Sequence, residues 1–340
     1  MSMSLSSLPF PFPLPHQLAG LWLNDRFEKN IRTRYFRGME FSEPAGDPGW
    51  FGPESATWYV HAHTPALIFG LQCASYLERL DPSIFWMGVH HSRLVQKDDD
   101  GEPTGRIDPT GAAVRLGHSV AFFIGTAYGT TETAERLATT VRAMHHTIKG
   151  ERPDGLTYDA DDPAWLRWNY ATVVWGIATA HEIYHPKPLR GPELDRYYAE
   201  FVRVGHALGG TDLPATKADT LSCLAEYLPK LALTHGNAIA TGPNLTNPVQ
   251  AAVDWAIRDT MPEWAAQLVM HRPPNPIERR GRRSAVWAAL NGLHATMGEA
   301  PEFTSARARV ADGTTKPHTE PRRDLGPDPT LGRAEVEASL

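Results

Sequence analysis

Two short stretches of this sequence carry the side chains with the most chemical reach. In Arg115-Leu-Gly-His118-Ser119 and on to Phe122, a guanidinium, an imidazole, a hydroxyl and a ring fall at i, i+3, i+4 and i+7. On a helix these four make one stripe. Further on, His145 and His146 sit side by side in VRAMHHTIKG. An imidazole ligates a metal or moves a proton, a guanidinium steadies negative charge, and a hydroxyl donates a hydrogen bond, so the set suits a site that holds a metal or a developing anion. A third stretch, His181-Glu182-Ile183-Tyr184-His185, spells H-E-x-x-H, in which two histidines one turn apart can grip zinc while the glutamate acts as general base.

The elements that must position these groups read as helices. Apolar residues recur at three- and four-residue spacing over 66–80, 83–95, 110–124, 131–149 and 162–183, then over 192–208, 215–228, 247–260, 262–271 and 283–297. The separators are Gly/Pro/Asp clusters such as KDDDGEPTGRIDP, and few alternating runs suggest strands. The expected fold is all-α: an extended N-terminal arm over 1–50, one helical domain over 51–298, and a polar, Pro-rich disordered tail over 299–340. On the helix around VRAMHHTIKG, Leu137, Val141, Met144 and Ile148 define the apolar face. His145 lies roughly 65° from its centre and His146 roughly 165° away, so His145 points inward and His146 outward. The residues flanking Arg115 and His118 (GAAV, VAFFI) are apolar enough to expect that helix to be largely buried, and a buried polar stripe requires partners.

Composition narrows the function classes. The chain has 340 residues, net charge −6 and 41% hydrophobic residues, enough for a sizeable core, with its basic residues spread out and no stripe for nucleic acid. The two cysteines, Cys73 and Cys223, are far apart within apolar segments and read as reduced thiols, which points to the cytoplasm. Prolines at 9, 11, 13 and 15 interrupt any signal-peptide helix, and the longest apolar runs fall short of the roughly 20 residues that span a bilayer. Arginine dominates over lysine, a bias of GC-rich bacterial genomes.

Over residues 110–214 the pattern resembles the MpaB and latex-clearing rubber-oxygenase family. The resemblance runs through Arg115-Leu-Gly-His-Ser119, Tyr128-Gly129 and the Val141-Arg-x-x-His145 helix with Gly150. It continues with Asp154-Gly155, Tyr158-x-Ala160, Asp162-Pro163 and Leu166-x-Trp168, then Leu189, Glu193-Leu-Asp195-x-Tyr197-Tyr198-x-Glu200 and Leu208-Gly209. A weaker likeness extends upstream over residues 70–92. Single pieces of this pattern are weak; their order and spacing make it specific.

The resemblance implies a helical fold with a haem-b pocket between helices and His145 as the proximal iron ligand. It places Arg115, His118 and Ser119 on the distal side, with His118 standing where rubber oxygenases carry a lysine able to take the sixth iron position, and Ser119 where they carry a threonine. The implied reaction is oxygenase chemistry, the insertion of O₂ across a C=C bond of an isoprenoid or other apolar alkene. Arg115 can stabilise charge at the reacting centre or pair with a haem propionate, and both roles stay open. Trp165, Trp168 and Trp175 read as core packing before channel lining.

Two other readings compete with the oxygenase. A haem protein without enzymatic activity is kept open by His118. A zinc metallopeptidase through His181, Glu182 and His185 is disfavoured because Pro186 ends the helix at the second histidine and no further ligand follows at the usual spacing. His61, His63, His90 and His91, without a spaced partner set, read as surface or capping residues.

Overall fold

The structure is a computed structural model that describes residues 25–234, 248–269 and 275–312, together with Leu23. Its helices are α1 (Ala56–Ala62), α2 (Thr64–Glu78), α3 (Pro82–His91), α4 (Pro109–Tyr128), α5 (Thr131–His145), α6 (Pro163–Tyr184), α7 (Pro192–Ala207), α8 (Lys217–Glu226), α9 (Pro248–Thr260), α10 (Glu263–Leu268), α11 (Pro276–Met297) and α12 (Pro301–Asp312). Two small antiparallel hairpins interrupt them: β1 (Val95–Lys97) with β2 (Pro103–Ile107), and β3 (Lys149–Glu151) with β4 (Thr157–Asp159). The fold is mostly helical, as the periodicity predicts.

The starts of the key helices are written locally. Asp108 accepts from the amides of Thr110 and Gly111 ahead of α4, Thr130 accepts from Thr133 ahead of α5, and Asp162 accepts from Trp165 ahead of α6. Pro109 and Pro163 occupy first-turn positions where the missing N–H costs nothing.

The centre of the bundle is the crossing of α2 and α6. Gly70 and Gly176 face each other there: a Cβ on Gly70 would stand 2.7 Å from Ile177 Cα, and one on Gly176 2.5 Å from the Gly70 carbonyl oxygen. Two apolar clusters flank the crossing. One gathers Trp58, Phe122, Phe123, Tyr128, Tyr197 and Phe201; the other gathers Phe69, Leu77, Trp168, Trp175, Tyr184 and Leu224.

Both chain ends depart from the sequence reading. The arm is not extended over its described part: residues 25–35 are helical, including a π-helical turn at Glu28–Arg32. The tail is not disordered from 299 onward, because α12 packs on the bundle through Phe303, which meets Trp58 and Tyr128 at 5.8 and 5.5 Å. Arg309, 1% exposed, drives its guanidinium into the backbone and donates to the carbonyls of Phe41 (2.8 Å), Asp47 (2.7 Å), Tyr128 (3.0 Å) and Gly129 (3.3 Å). Arg32 joins the two ends by an ion pair to Glu302 (2.6 Å). A composition that reads as polar and aperiodic conceals one buried arginine that satisfies four carbonyls. Residues 1–22 and 313–340, to which the arm and tail readings also applied, lie outside the described residues.

Candidate functional site

His145 lies in the last turn of α5, and His146 caps the helix beyond it. The two rings part as the wheel predicts. His146 is exposed and bonds to Asp161, while His145 is half-buried and turns to the edge of Trp165, centroids 5.5 Å apart. The helix ends at His145, short of the expected 149; Ile148 follows in a turn and is still buried. His145 Nδ1 is buried without a hydrogen-bond partner, and so is Trp165 Nε1. Burial, reinforced by the positive charge of Arg115 and opposed by Asp161, lowers the His145 pKa to about 4, so the ring is neutral at pH 7 with a nitrogen free to act as a ligand.

The polar stripe of α4 is less buried than its flanks suggest. Arg115 is exposed, His118 and Ser119 are half-buried, and only from Val120 onward is the helix enclosed. The Ser119 hydroxyl donates to the Arg115 carbonyl at 3.1 Å, within its own helix. His118 meets the Tyr35 ring edge-on at 4.8 Å, and burial lowers its pKa to about 4. Gly117 makes room for that arm residue, since a Cβ there would stand 2.2 Å from the Tyr35 ring. The Arg115 guanidinium makes no ion pair or hydrogen bond with a described residue, although its charge is felt at both His145 and Glu78.

Glu78 escaped the sequence reading. It ends α2 buried, and its Oε1 accepts from Asn169 Nδ2 (2.9 Å) and Thr172 Oγ1 (3.2 Å) on α6. Burial raises its pKa and Arg115 pulls it back down. The available signal was polar residues at i and i+3 inside the apolar run of α6, where unpartnered amides and hydroxyls are not tolerated. Asn169 also lines a small groove between α4, α6 and α7, whose other walls are Phe123, Leu166, Tyr170, Val173, Phe201, Val204, Gly205 and Leu208. The structure therefore brings both His145 and Glu78 within electrostatic reach of Arg115, and Glu78 is linked through Asn169 to an almost wholly apolar groove.

The H-E-x-x-H stretch is built differently from a zinc grip. α6 ends at Tyr184 and His185 is its C-cap. The lone pair of His181 Nε2 accepts from the Leu189 amide (2.9 Å) and that of His185 Nδ1 from the Lys187 amide (3.0 Å). Glu182 is engaged by Lys217 (2.6 Å) and faces Arg190 (3.8 Å). Those two nitrogens are engaged, while His181 Nδ1 is buried without a hydrogen-bond partner, and the would-be base is tied to a cation; among the described residues no group of three His, Cys, Asp or Glu is arranged to hold a metal ion. These two rings instead pack with His63 and His294. His63 stacks on His294 at 4.3 Å and meets His185 at 5.4 Å, and His181 lies 4.5 Å from His185.

The remaining histidines divide. His63 is a cap, accepting from the Ala66 amide (3.2 Å), as expected. His61 is neither surface nor cap: it is 1% exposed, held by the Phe123 carbonyl (3.3 Å) and Tyr197 Oη (3.2 Å). His90 and His91 share Tyr158 Oη at 2.6 and 3.1 Å. Trp165, Trp168 and Trp175 are all buried.

Residues 58–291 match the family described as ER-bound oxygenase mpaB/B'/Rubber oxygenase, catalytic domain. No curated protein and no solved structure matches the chain.

Proposed function

The chain belongs to the MpaB and rubber-oxygenase catalytic-domain family, and from that premise we propose that it is a haem-b-dependent oxygenase that cleaves a C=C bond of an isoprenoid or other apolar alkene. The observation that carries the cofactor reading is His145. A half-buried imidazole that is neutral at pH 7, with a buried nitrogen that bonds to nothing, stands where the family pattern puts the ligand to iron. The donor chemistry fits haem in two respects: one neutral imidazole for the metal, and an Arg115 guanidinium that makes no ion pair with a described residue and suits a propionate.

When bound, haem would supply the redox chemistry that lets O₂ react with an alkene, both oxygen atoms entering the product as two carbonyls with no further reductant. The chain's own residues do the rest. His145 would hold the iron, and Trp165 fixes the plane of its ring. Arg115 offers positive charge where negative charge gathers. His118 presents a neutral imidazole on the α4 stripe, able to donate a hydrogen bond or to take the sixth iron position. Ser119 keeps its hydroxyl proton on its own helix carbonyl until a better acceptor arrives. The groove residues Phe123, Val173 and Phe201 bind hydrocarbon and exclude water.

The test is the absorption spectrum of purified protein, oxidised and then reduced under CO. A Soret band that shifts on reduction and is lost in His145→Ala but kept in His146→Ala supports the reading. A colourless protein after reconstitution with haem sinks it. A haem protein that binds CO yet cleaves no prenyl compound would leave the non-enzymatic reading.

A further inference from the structure

We propose that His63, His181, His185 and His294 form a proton-sensitive latch that holds the second half of α11 on the bundle at neutral pH and releases it in mild acid. The latch needs neither a cofactor nor an alkene, so it stands apart from the oxygenase reading.

The four imidazoles come from three places in the chain, the start of α2, the end of α6 and the last turn of α11. They meet in one group. His63 stacks on His294 at 4.3 Å with 21° between planes and lies 5.4 Å from His185, which in turn lies 4.5 Å from His181. His63 and His181 are each 1% exposed. Three of the rings use their one lone pair to accept a backbone N–H: His63 Nδ1 from Ala66 (3.2 Å), His181 Nε2 from Leu189 (2.9 Å) and His185 Nδ1 from Lys187 (3.0 Å). A neutral imidazole has one acceptor nitrogen and one donor, so these contacts fix the tautomer of each ring. A second proton on any of them would set one N–H against another and break that bond. At His63 the repulsion is greater still, because the ring caps the positive end of α2.

Neutral His63 is also what α11 docks on. Its remaining N–H, on Nε2, meets Asn291 Oδ1 (3.2 Å), which directs Asn291 Nδ2 to the Tyr184 carbonyl (2.9 Å). His294 adds its stack three residues further on. Apolar packing contributes little here: Val286 and Leu290 reach the second cluster only partly buried, and no side chain of α11 is fully buried. The first half of the helix is held separately, by Arg282 on Asp259 (3.3 Å). Beyond Gly298, α12 is pinned by Arg309 and by Glu302 on Arg32. Release is thereby confined to about residues 286–297.

The surroundings give an imidazolium little relief. From α1 come Tyr59, whose ring meets His181 and His185 at 5.8 and 5.0 Å, and His61, bonded to the Phe123 carbonyl and Tyr197. From α6 and the loop after it come Glu182, tied to Lys217 and facing Arg190, and the exposed Lys187. From α7 comes Glu193, whose charge is felt at Tyr59. Beside His294 stand Arg32, paired with Glu302, and Glu299, exposed and paired with Arg307. Of these carboxylates, Glu299 favours a protonated ring, at His294, whereas His185, His63, His61 and Arg190 all oppose a proton on His181. Burial, with the charges of His294 and His185 added, lowers the His63 pKa to about 4, against about 6.5 for a solvated ring. A group depressed in this way supports docking fully above pH 6.5 and progressively less as pH falls toward 4. Through His63 alone, docking should weaken about thirtyfold between pH 7.5 and pH 5, with the released ring titrating as in water.

Hydrogen exchange of the full-length protein, read by mass spectrometry at pH 7.5 and pH 5 and corrected for the intrinsic rate at each, tests this. Protection over residues 286–297 is expected to fall about thirtyfold or more. At pH 5 these amides should exchange faster than those of the α2–α6 crossing around Gly70 and Gly176, and at a rate that low urea leaves unchanged, the mark of a local opening. His63→Asn still offers the Ala66 amide an acceptor but takes no proton, so it should reduce the fall to a few-fold even though docking is weaker at both pH values. Protection of α11 that is equal at the two pH values overturns the proposal. So does exchange with the same urea dependence as the crossing, which is global unfolding, or a His63→Asn variant that loses as much protection as the parent. The assay uses no haem, so its failure leaves the oxygenase reading as it stands.

Discussion

His145 and Trp165 meet edge to face, 5.5 Å between centroids at 85°, and each leaves a ring nitrogen buried without a hydrogen bond. Two adjacent orphaned polar atoms cost free energy in a folded chain, on the order of 1–3 kcal/mol each. A group that met either nitrogen would relieve that cost.

Replacing the imidazole by a ring of similar size should therefore separate stability from binding. His145→Phe is expected to abolish haem uptake while leaving urea-unfolding stability of the apoprotein unchanged or raised by about 1 kcal/mol, because it removes a buried donor that has no partner. His146→Phe should keep haem and lose only the exposed bond to Asp161. Titration of each apoprotein with hemin, followed in the Soret region, checks both.

The crossing of α2 and α6 tolerates no side chain. Gly70→Ala or Gly176→Ala would push a methyl group against backbone at 2.5–2.8 Å, which forces the helices apart. Overpacking of a core costs about 1–3 kcal/mol, and rigid backbone on the far side puts these two at the upper end. Chemical denaturation would measure it, and Gly281→Ala, open to solvent on α11, should be neutral or stabilising by up to about 1 kcal/mol.

The helices, their order and the inward turn of His145 were legible because a 3.6-residue apolar period encodes both the element and its buried side. The burial of the α4 stripe was misjudged: the apolar flank of that helix covers only its second half, and Arg115 stays at the surface. Glu78 and Arg309 were invisible because their partners are hundreds of residues away or on other helices, and a charged residue in a sequence carries no mark of the acceptor it will meet. His61 failed for the same reason, its burial being set by Phe123 and Tyr197.

Zinc content decides the fate of the H-E-x-x-H stretch. With one nitrogen of each histidine taken by a backbone amide and Glu182 taken by Lys217, purified protein should hold no stoichiometric zinc by elemental analysis. Glu182→Gln should cost at most about 1 kcal/mol of stability through the half-exposed Lys217 pair and leave haem binding unaltered. Zinc at one per chain, lost in His181→Ala, would restore the peptidase.

Arg309 holds both chain ends on the bundle. Arg309→Met keeps the aliphatic stem but abandons four carbonyl oxygens, so stability should fall by roughly 2–4 kcal/mol. Limited proteolysis should then cut near α12 first, whereas Arg307→Met, on the exposed side of the same helix, should leave the digestion pattern unchanged.

Acid sensitivity follows from the imidazoles. Burial lowers His61, His63, His118 and His145 to about 4 and His181 to about 3, against about 6.5 when unfolded. A group whose folded pKa is depressed in this way binds its proton more readily unfolded. Its contribution to stability is complete above pH 6.5 and is lost as pH falls from 6.5 toward 4, at up to about 1.4 kcal/mol per pH unit for each fully buried ring. Glu78 and Asp81, whose pKa values burial raises, act in the opposite sense, but they are two against five. Unfolding free energy should thus be flat between pH 7 and 8 and drop steeply below 6. His63→Phe, which keeps a ring against His294 but takes no proton, should flatten that slope even though losing the α2 cap lowers stability at pH 7 by about 1 kcal/mol. A slope identical to the parent's would mean that His63 is not among the groups that resist protonation.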